Sequence, residues 1–186
     1  PNPHPEAACC DQPPATPMLS VRMSTSSAME ALLSNPRYSD VRFIAGADAV
    51  EIPAHRSLLV LHSEVLSTMF QAEGWMESEH STIALPDVSP STVRAFLQFC
   101  YCGSVCTNHT ELIALLELCH LYQAQQMVAA LGDALAQDLS AGNALQLYAV
   151  GCMYSPTLKS RALAYISLES KEVFNMALQS GSTSLA

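Results

Sequence analysis

The spacing of apolar residues in this 186-residue chain changes near residue 89, and that change limits the possible folds most. From Ser89 onward, apolar side chains recur every three or four residues almost to the end of the chain, which predicts successive amphipathic helices. Before Ser89, short apolar runs bounded by turn residues predict strands at 41–44, 49–52 and 82–85. We therefore expect an α+β fold in which a small β-sheet is capped by a cluster of α-helices and followed by a C-terminal helix pair.

Capping residues and helix breakers mark where the predicted helices begin and end. Ser26 or Ser27 can cap a short first helix. Residues 55–70 have helical spacing with a break at Ser63, and Ser89–Gly103 combines a capping serine, an early proline and a terminal glycine. Later helices are predicted around residues 112–122, 128–139, 145–152, 158–166 and 173–177, with Asn143 and Ser155 as caps.

The charge balance argues against nucleic acid and membranes as partners. Lys and Arg total 8 against 17 Asp and Glu, the formal net charge is −9, and no Lys or Arg lies between Arg94 and Lys159. Phosphate backbones and anionic membrane surfaces bind clustered basic side chains, so we expect neither as a partner. No apolar run reaches the roughly 18 residues that a membrane-spanning helix needs. The 7 cysteines, an odd number, predict reduced thiols in an intracellular protein, cytoplasmic or nuclear.

Composition divides the chain into four segments. Residues 1–23 are rich in Pro and poor in large apolar side chains, which predicts a disordered tail. Residues 24–139 are predicted to form the main domain, because they contain the strands and most of the helices. Residues 140–178 are predicted to add further helices, and residues 179–186 to form a second disordered tail.

No pattern in the sequence points to catalysis or to a cofactor. Walker loops and GxGxxG, GxSxG and HExxH motifs do not occur. Cys100, Cys102 and Cys106 with Cys119-His120 are the one tempting metal set, but their C-x-C-x3-C spacing differs from the paired ligands of zinc sites. We expect structural thiols, no metal, no cofactor and no enzyme activity. A thiol-dependent enzyme that uses Cys102 or Cys106 is the alternative of lowest rank.

Several short motifs follow one another in a definite order along the chain. The motifs are Ser39-Asp40-Val41-Arg42-Phe43, Ile52-Pro53-Ala54-His55-Arg56, Ser63-x-Val65-x-x-x-Met69-Phe70, Ile83-x-Leu85-Pro86-Asp87-Val88 and Phe96-Leu97-x-Phe99-x-Tyr101-x-Gly103. Taken together and in this order, they resemble the BTB/POZ family. The resemblance covers residues 28–139, and the stretch from Leu139 to Ile166 resembles the beginning of a BACK segment. Around residues 35–40 and 76–78 the chain looks most like the speckle-type POZ subgroup.

The resemblance implies a protein-interaction module that forms homodimers. Many members of this family bind the cullin-3 N-terminal domain and act as substrate adaptors of ubiquitin ligases, so cullin-3 and an unknown protein substrate are the expected partners. The alternative is a BTB scaffold or transcriptional co-regulator without a ligase role.

The resemblance also assigns residues to a dimer contact. The dimer helix would present Met29, Leu32 and Leu33, although these side chains could instead pack onto their own domain. Asp40 and Arg56 match charged positions near the dimer contact, with two solvated charges as the alternative. His55 is expected to be a packed, hydrogen-bonded histidine rather than a ligand or a base.

For cullin-3, the family uses a hydrophobic-x-Glu element after a Met-Phe pair. Here Met69 and Phe70 form that pair and are expected to contact cullin-3. They are followed by Trp75-Met76-Glu77, in which Trp75 or Met76 would enter an apolar pocket and Glu77 would make a polar contact at the rim. Tyr101 and the helix pair at 143–166 would supply the rest of the surface. The alternative is that Trp75 folds back onto its own domain.

Overall fold

The structure is a computed structural model that describes residues 18–22, 27–35, 37–71 and 81–182. Strands and helices follow one another along these ranges, with helices alone after residue 108. Their order is β1 (Met18–Arg22), α1 (Ser27–Ser34), β2 (Val41–Ala45), β3 (Val50–Ala54), α2 (Arg56–Leu59), α3 (Glu64–Gln71), β4 (Ser81–Leu85), α4 (Pro90–Cys102), β5 (Ser104–Asn108), α5 (His109–Leu121), α6 (Gln125–Gln137), α7 (Ala144–Tyr154), α8 (Pro156–Leu168) and α9 (Ser170–Ser182).

A three-stranded sheet with the order β3-β2-β4 forms one side of the core. β2 and β3 make an antiparallel hairpin in which Val41 lies opposite Ala54, and β4 runs parallel to β2. Gly46, with a φ of 72°, opens the hairpin turn, and the Ala49 N–H donates to its carbonyl oxygen at 3.1 Å. A parallel neighbour requires a crossover connection, and α2 and α3 lie in that connection.

The predicted end of the second hairpin strand at Ile52 was wrong. β3 continues through Pro53 to Ala54, and Pro53 lies opposite Arg42. Proline lacks a backbone N–H and is therefore excluded from central strands, but it is tolerated at a sheet edge. β3 is an edge strand, so its sequence did not have to end at the proline.

A second, two-stranded sheet was missed by the sequence analysis. β1 pairs antiparallel with β5, and Val21 lies opposite Val105. The predicted disordered tail at residues 1–23 was therefore wrong for residues 18–22, because their backbone is paired with a strand far along the chain, which local composition does not report. The predicted C-terminal tail was wrong for residues 179–182, which continue α9. The rest of both predicted tails lies outside the described residues.

The core is organised around α4, which has buried side chains on most of its surface. Phe96 and Phe99 of α4 and Phe43 of β2 are fully buried. The Tyr122 ring, after α5, lies 6.5 Å from the Phe43 ring and 5.5 Å from the Phe96 ring, measured between ring centres. Each such buried aromatic side chain stabilises the fold by about 1.5 to 3 kcal/mol.

The predicted ends of α4 are confirmed. The Ser89 hydroxyl accepts a hydrogen bond from the Thr92 N–H at 3.1 Å, and Pro90 occupies the first turn. Gly103 ends the helix with a φ of 64°, a left-handed conformation that glycine adopts without strain. The predicted break at Ser63 is confirmed as well, since it separates α2 from α3.

The helix pair α7 and α8 packs closely on α6. The backbone of α8 approaches Gly151 of α7 so closely that an added Cβ would lie 2.7 Å from Lys159 Cα, and Gly132 of α6 is similarly close to Ser155. Ser155 caps α8, as predicted, because its hydroxyl accepts from the Leu158 N–H. Asn143 does not cap α7 through its side chain, which instead bonds to backbone groups of the preceding turn.

Candidate interaction surfaces

A buried hydrogen-bond network connects α4 to the segment before β2. The Tyr101 hydroxyl accepts from the His55 backbone N–H at 2.8 Å and lies 2.8 Å from His55 Nδ1, while His55 Nε2 lies 3.1 Å from the Arg37 carbonyl oxygen. A carbonyl only accepts, so Nε2 donates to it and Nδ1 of the neutral ring accepts from the Tyr101 hydroxyl. His55 is therefore packed and hydrogen-bonded, as predicted.

Tyr101 was predicted to contribute to a partner-binding surface, and that prediction was wrong. Its side chain is only 2% exposed, because α4 packs beneath β3 and α2. Burial raises the pKa of Tyr101 to about 12, although the hydrogen bond from the His55 backbone acts in the opposite direction. Tyr101 thus acts inside the domain, where it holds the β3–α2 junction.

Asp40 and Arg56, which were predicted to lie near a dimer contact, are adjacent. The Asp40 carboxylate accepts from the Arg56 backbone N–H at 2.8 Å, and Arg56 Nε donates to the Asp40 carbonyl oxygen at 3.1 Å. Asp40 is exposed and Arg56 is half-buried. Their contacts run through backbone groups, so the arrangement matches two solvent-accessible charges at the ends of a strand and a helix more closely than a buried ion pair.

The side chains that were predicted to form the dimer contact lie on α1, which packs against α4. Met29, Leu32 and Leu33 are half-buried against the hydrophobic core of their own chain. The alternative that they pack onto their own domain therefore holds in part. Each side chain still keeps some surface accessible to solvent, and a role in dimerisation stays a prediction.

An open groove of about 540 Å³ runs along α3. Half-buried Val65 and Met69 give it an apolar part, and exposed polar side chains border it. Among the residues that were predicted to bind cullin-3 and lie in the described part of the chain, Met69 lines this groove. The lining residues are Glu64, Val65, Thr68, Met69 and Gln123.

Two hydrogen bonds of Ser63 fix the geometry of this groove. Its hydroxyl donates to the Tyr122 carbonyl oxygen at 2.5 Å and accepts from the Leu66 N–H at 3.0 Å. The start of α3 is thereby tied to the turn that follows α5. The two walls of the groove come from segments that are distant in sequence, and the hydrogen bond from Ser63 to Tyr122 holds them together.

Phe70 was predicted to contact a partner, and that prediction was wrong for the direct contact. Its ring is 6% exposed and packs in the core, and the Arg56 guanidinium lies 5.4 Å from the ring centre. Neighbouring positions on a helix face different directions, so Met69 reaches the groove while Phe70 turns inward. Trp75, Met76 and Glu77 lie outside the described residues.

A comparison with protein families identifies the family to which this fold belongs. The family model of the BTB/POZ domain matches residues 29–139, which is more than half of the chain. The chain belongs to the BTB/POZ family. The predicted BTB/POZ fold, an α+β domain with a small sheet and many helices, is thereby confirmed.

Individual relatives carry the same domain. The human BTB/POZ domain-containing protein 3 is 27% identical over 143 residues, which are 75% of this chain and 27% of that protein. A BTB/POZ domain-containing protein of Arabidopsis thaliana is 31% identical over 132 residues, 69% of this chain and 54% of that protein. The mouse TD and POZ domain-containing protein 4 is 27% identical over 155 residues, 82% of this chain and 41% of that protein. The chain thus spans about a quarter to a half of the length of these relatives.

Membership of the BTB/POZ family indicates the general activity of this domain. BTB domains mediate dimerisation and contacts with other proteins, and they are generally not enzymes. Across the described ranges of this BTB domain, no helix is long and apolar enough to cross a membrane. In the same ranges no three His, Cys, Asp or Glu side chains are grouped so that they could hold a metal ion.

The cysteines of the BTB domain that suggested a metal set are mostly interior. Cys100, Cys102 and Cys119 are buried, and Cys106 is half-buried. Burial raises the pKa of the Cys100 and Cys119 thiols, which keeps both protonated and unreactive. These positions fit the structural thiols that the sequence predicted.

Most of the groove was not predicted from sequence. Val65 follows the same helical spacing as core residues, so its pattern alone gives no sign of a groove. Glu64 and Thr68 are ordinary polar positions on an exposed helix face. The polar break at residues 123–126 was the one signal that could have pointed to Gln123, since polar turn residues between helices are common places for binding.

Proposed function

We propose that this BTB domain is a homodimeric substrate adaptor for a cullin-3 ubiquitin ligase. The groove along α3 carries the proposal, because its apolar part ends near Met69, shortly before the hydrophobic-x-Glu element at Trp75-Met76-Glu77. Cullin-3 is the partner that the resemblance to BTB adaptors implies for these two features. The protein substrate would be recruited by a part of the adaptor other than this groove.

The chemistry of the groove suits a protein partner. Val65 and Met69 offer a small apolar contact, and methionine adapts its shape to the side chain that it meets. Exposed Glu64, Thr68 and Gln123 border this contact with polar groups. An apolar centre with a polar rim is the usual division in protein interfaces, where the centre supplies most of the affinity.

A homodimer is the second part of the proposal. α1 lies on the outside of α4 as a helix of only 8 residues, with half-buried Met29, Leu32 and Leu33. A two-fold contact between copies of α1 would bury the rest of these side chains in both chains at once. Exposed Asp40 and half-buried Arg56 would lie near this contact, as the resemblance implies.

The cellular site belongs to the same proposal. Cys152 is an exposed free thiol, and Cys100 and Cys119 are buried free thiols. Free thiols are typical of reducing compartments. We therefore place the protein in the cytoplasm or the nucleus, where cullin-3 ligases act.

Calorimetry with the cullin-3 N-terminal domain tests the cullin contact. Thr68→Arg puts a long side chain into the groove, and we expect affinity to fall by about tenfold or more, since its bulk takes the space that an apolar side chain of the partner would occupy. Thr110→Arg is the matched control, because it makes the same change at an exposed position of the first turn of α5, about 20 Å along that helix from the groove wall. A Met76→Asp, Glu77→Ala double variant should lose affinity as well.

Two results would contradict the cullin contact. One is the absence of binding heat with the unmodified chain, and the other is equal loss of affinity in both arginine variants. If cullin-3 does not bind while light scattering still reports a dimer, the result supports a BTB scaffold or transcriptional co-regulator without a ligase role.

Sizing chromatography with light scattering tests the dimer. Leu32→Asp places a charge in the proposed contact and should yield monomers. Leu163→Asp makes the same change at an exposed position of α8 and should leave the dimer intact. Circular dichroism checks that both variants stay folded, and a folded Leu32→Asp variant that remains dimeric would rule out α1 as the contact.

A further inference from the structure

Lysine is nearly absent from this chain, although arginine is not. The 8 Lys and Arg residues comprise six arginines and two lysines, Lys159 and Lys171. Five of the arginines precede residue 100, and residues 1–158 contain no lysine. Arginine keeps its charge at physiological pH and does not accept ubiquitin, whereas lysine is the residue to which ubiquitin is attached. The BTB domain therefore carries positive side chains but no ubiquitin acceptor of the usual kind.

The two lysines lie in neighbouring helices, each within the first turn. Lys159 is the fourth residue of α8 and Lys171 is the second residue of α9, and both side chains are exposed. The N-terminal end of a helix carries a partial positive charge, so acidic side chains stabilise it and a cation does not. The stability of α8 and α9 therefore does not explain why the only two lysines stand at these positions.

Ion pairing does not explain the two lysines either. Arg161, two residues after Lys159, lies 3.5 Å from the Asp133 carboxylate of α6. Neither lysine forms an ion pair with any side chain that the structure describes. The Lys159 backbone is packed against Gly151 of α7, whereas its side chain is exposed. Its amino group thus stands at the end of a flexible four-carbon stem on a backbone that is held in place.

We propose that Lys159 and Lys171 are the ubiquitin acceptor sites of this chain, and that the absence of lysine before them keeps ubiquitin off the BTB domain. The inference rests on the proposed cullin-3 adaptor function and adds a regulation of it. An adaptor is held beside the ubiquitin-conjugating enzyme, so its own exposed lysines meet the ubiquitin thioester at a high effective concentration. Neither lysine lies on α1 or α3, the helices to which the dimer and cullin-3 contacts are assigned.

The modification is an acyl transfer without oxidation or reduction. The neutral amine at Nζ of the lysine attacks the carbonyl carbon of the thioester that joins the ubiquitin C-terminus to a cysteine of the conjugating enzyme. An isopeptide C–N bond forms and the C–S bond breaks, and the sulfur leaves with the electron pair of that bond. Nζ gives up one proton, which ends on the released thiol.

Reconstituted ubiquitination of the full chain tests the inference. The chain is incubated with the cullin-3 RING complex, ubiquitin, ATP and the activating and conjugating enzymes, and peptide mass spectrometry maps the modified residues. We expect ubiquitin on Lys159 and Lys171. In the Met76→Asp, Glu77→Ala variant, which should not dock on cullin-3, modification of both lysines should fall by about tenfold or more, because the high effective concentration is lost.

A second variant tests the exclusion of lysine from the BTB domain. Arg37→Lys, made together with Lys159→Arg and Lys171→Arg, keeps the net charge and moves the single acceptor to an exposed position just after α1. We expect ubiquitin on the introduced lysine and, by light scattering, loss of the dimer in the modified fraction. The matched control is the Lys159→Arg, Lys171→Arg chain, which should remain dimeric after the same reaction.

The outcomes separate the inference from the function on which it rests. If the chain binds cullin-3 and ubiquitin is attached to cullin-3 itself while Lys159 and Lys171 stay unmodified, the inference is refuted and the proposed function stands. Equal modification in the variant that does not dock also refutes it, since exposure alone would then decide the site. A ubiquitinated Arg37→Lys chain that stays fully dimeric contradicts the exclusion. If the unmodified chain fails to bind cullin-3, the proposed function and this inference fall together.

Discussion

Gly151 of α7 offers a sharp test of how the helix pair is attached to the BTB domain. A Cβ at this position would lie 2.4 Å from the Lys159 backbone nitrogen and 2.7 Å from Lys159 Cα. Both atoms belong to the backbone of α8, so a side-chain rotation cannot relieve the clash. Gly151→Ala should therefore force α7 and α8 apart.

The expected size of the effect follows from two opposing contributions. Alanine is a better helix former than glycine by about 1 kcal/mol, which would stabilise an unconstrained helix. Overpacking costs about 1 to 3 kcal/mol, and a clash between two backbones lies at the upper end of that range. We expect the free energy of unfolding to fall by about 2 kcal/mol, which lowers Tm by about 4 to 8 °C for a chain of this length.

Urea and thermal denaturation, followed by circular dichroism, measure this change. Gly142→Ala is the matched control, because its Cβ would meet only the Met176 side chain, at an ordinary distance of 3.6 Å. The control should leave stability within about 0.5 kcal/mol, or raise it slightly. If Gly151→Ala stabilises the protein as a free helical glycine would, the close approach of α7 and α8 is refuted.

Two further predictions concern the buried network. Tyr101→Phe leaves the His55 N–H and Nδ1 without their partner and should lower the free energy of unfolding in urea by about 2 kcal/mol; an equal loss in Tyr165→Phe, at a half-buried position, would contradict this. The free energy of unfolding should also fall as pH rises from the ordinary tyrosine pKa of about 10 towards about 12. Tyr101 and Tyr122 have pKa values raised to about 12 in the folded state, so both ionise more readily once the chain is unfolded. Denaturation at a series of pH values checks this, and Tyr101→Phe should make the fall smaller; a fall of unchanged size would count against Tyr101 as a cause.

Local sequence patterns were sufficient to predict much of the fold. The serine, proline and glycine at the ends of α4 act through their own hydrogen bonds and dihedral angles, so their roles can be read without tertiary structure. The break at Ser63 and the existence of a hairpin after residue 41 follow from local patterns as well. Ordered motifs then identified the BTB/POZ family, because each short motif is weak but their order along the chain is specific.

Contacts between distant segments were decided by the tertiary structure alone. The pairing of β1 with β5 joins residues far apart in sequence, and the edge position of β3 explains why a proline did not end it. Burial decided the roles of Tyr101 and Phe70, since apolar periodicity shows that a face is covered but not whether a domain or a partner covers it.

The sequence by itself therefore determined that this is a BTB domain that binds proteins, because the motifs and their order can be read directly along the chain. Only the tertiary structure showed that α3 and the turn at Gln123 meet to form a groove, and that Met69 lies in it while Phe70 faces the core. The physical reason is that a groove needs two walls. Its walls come from segments more than fifty residues apart, held together by the bond between Ser63 and Tyr122.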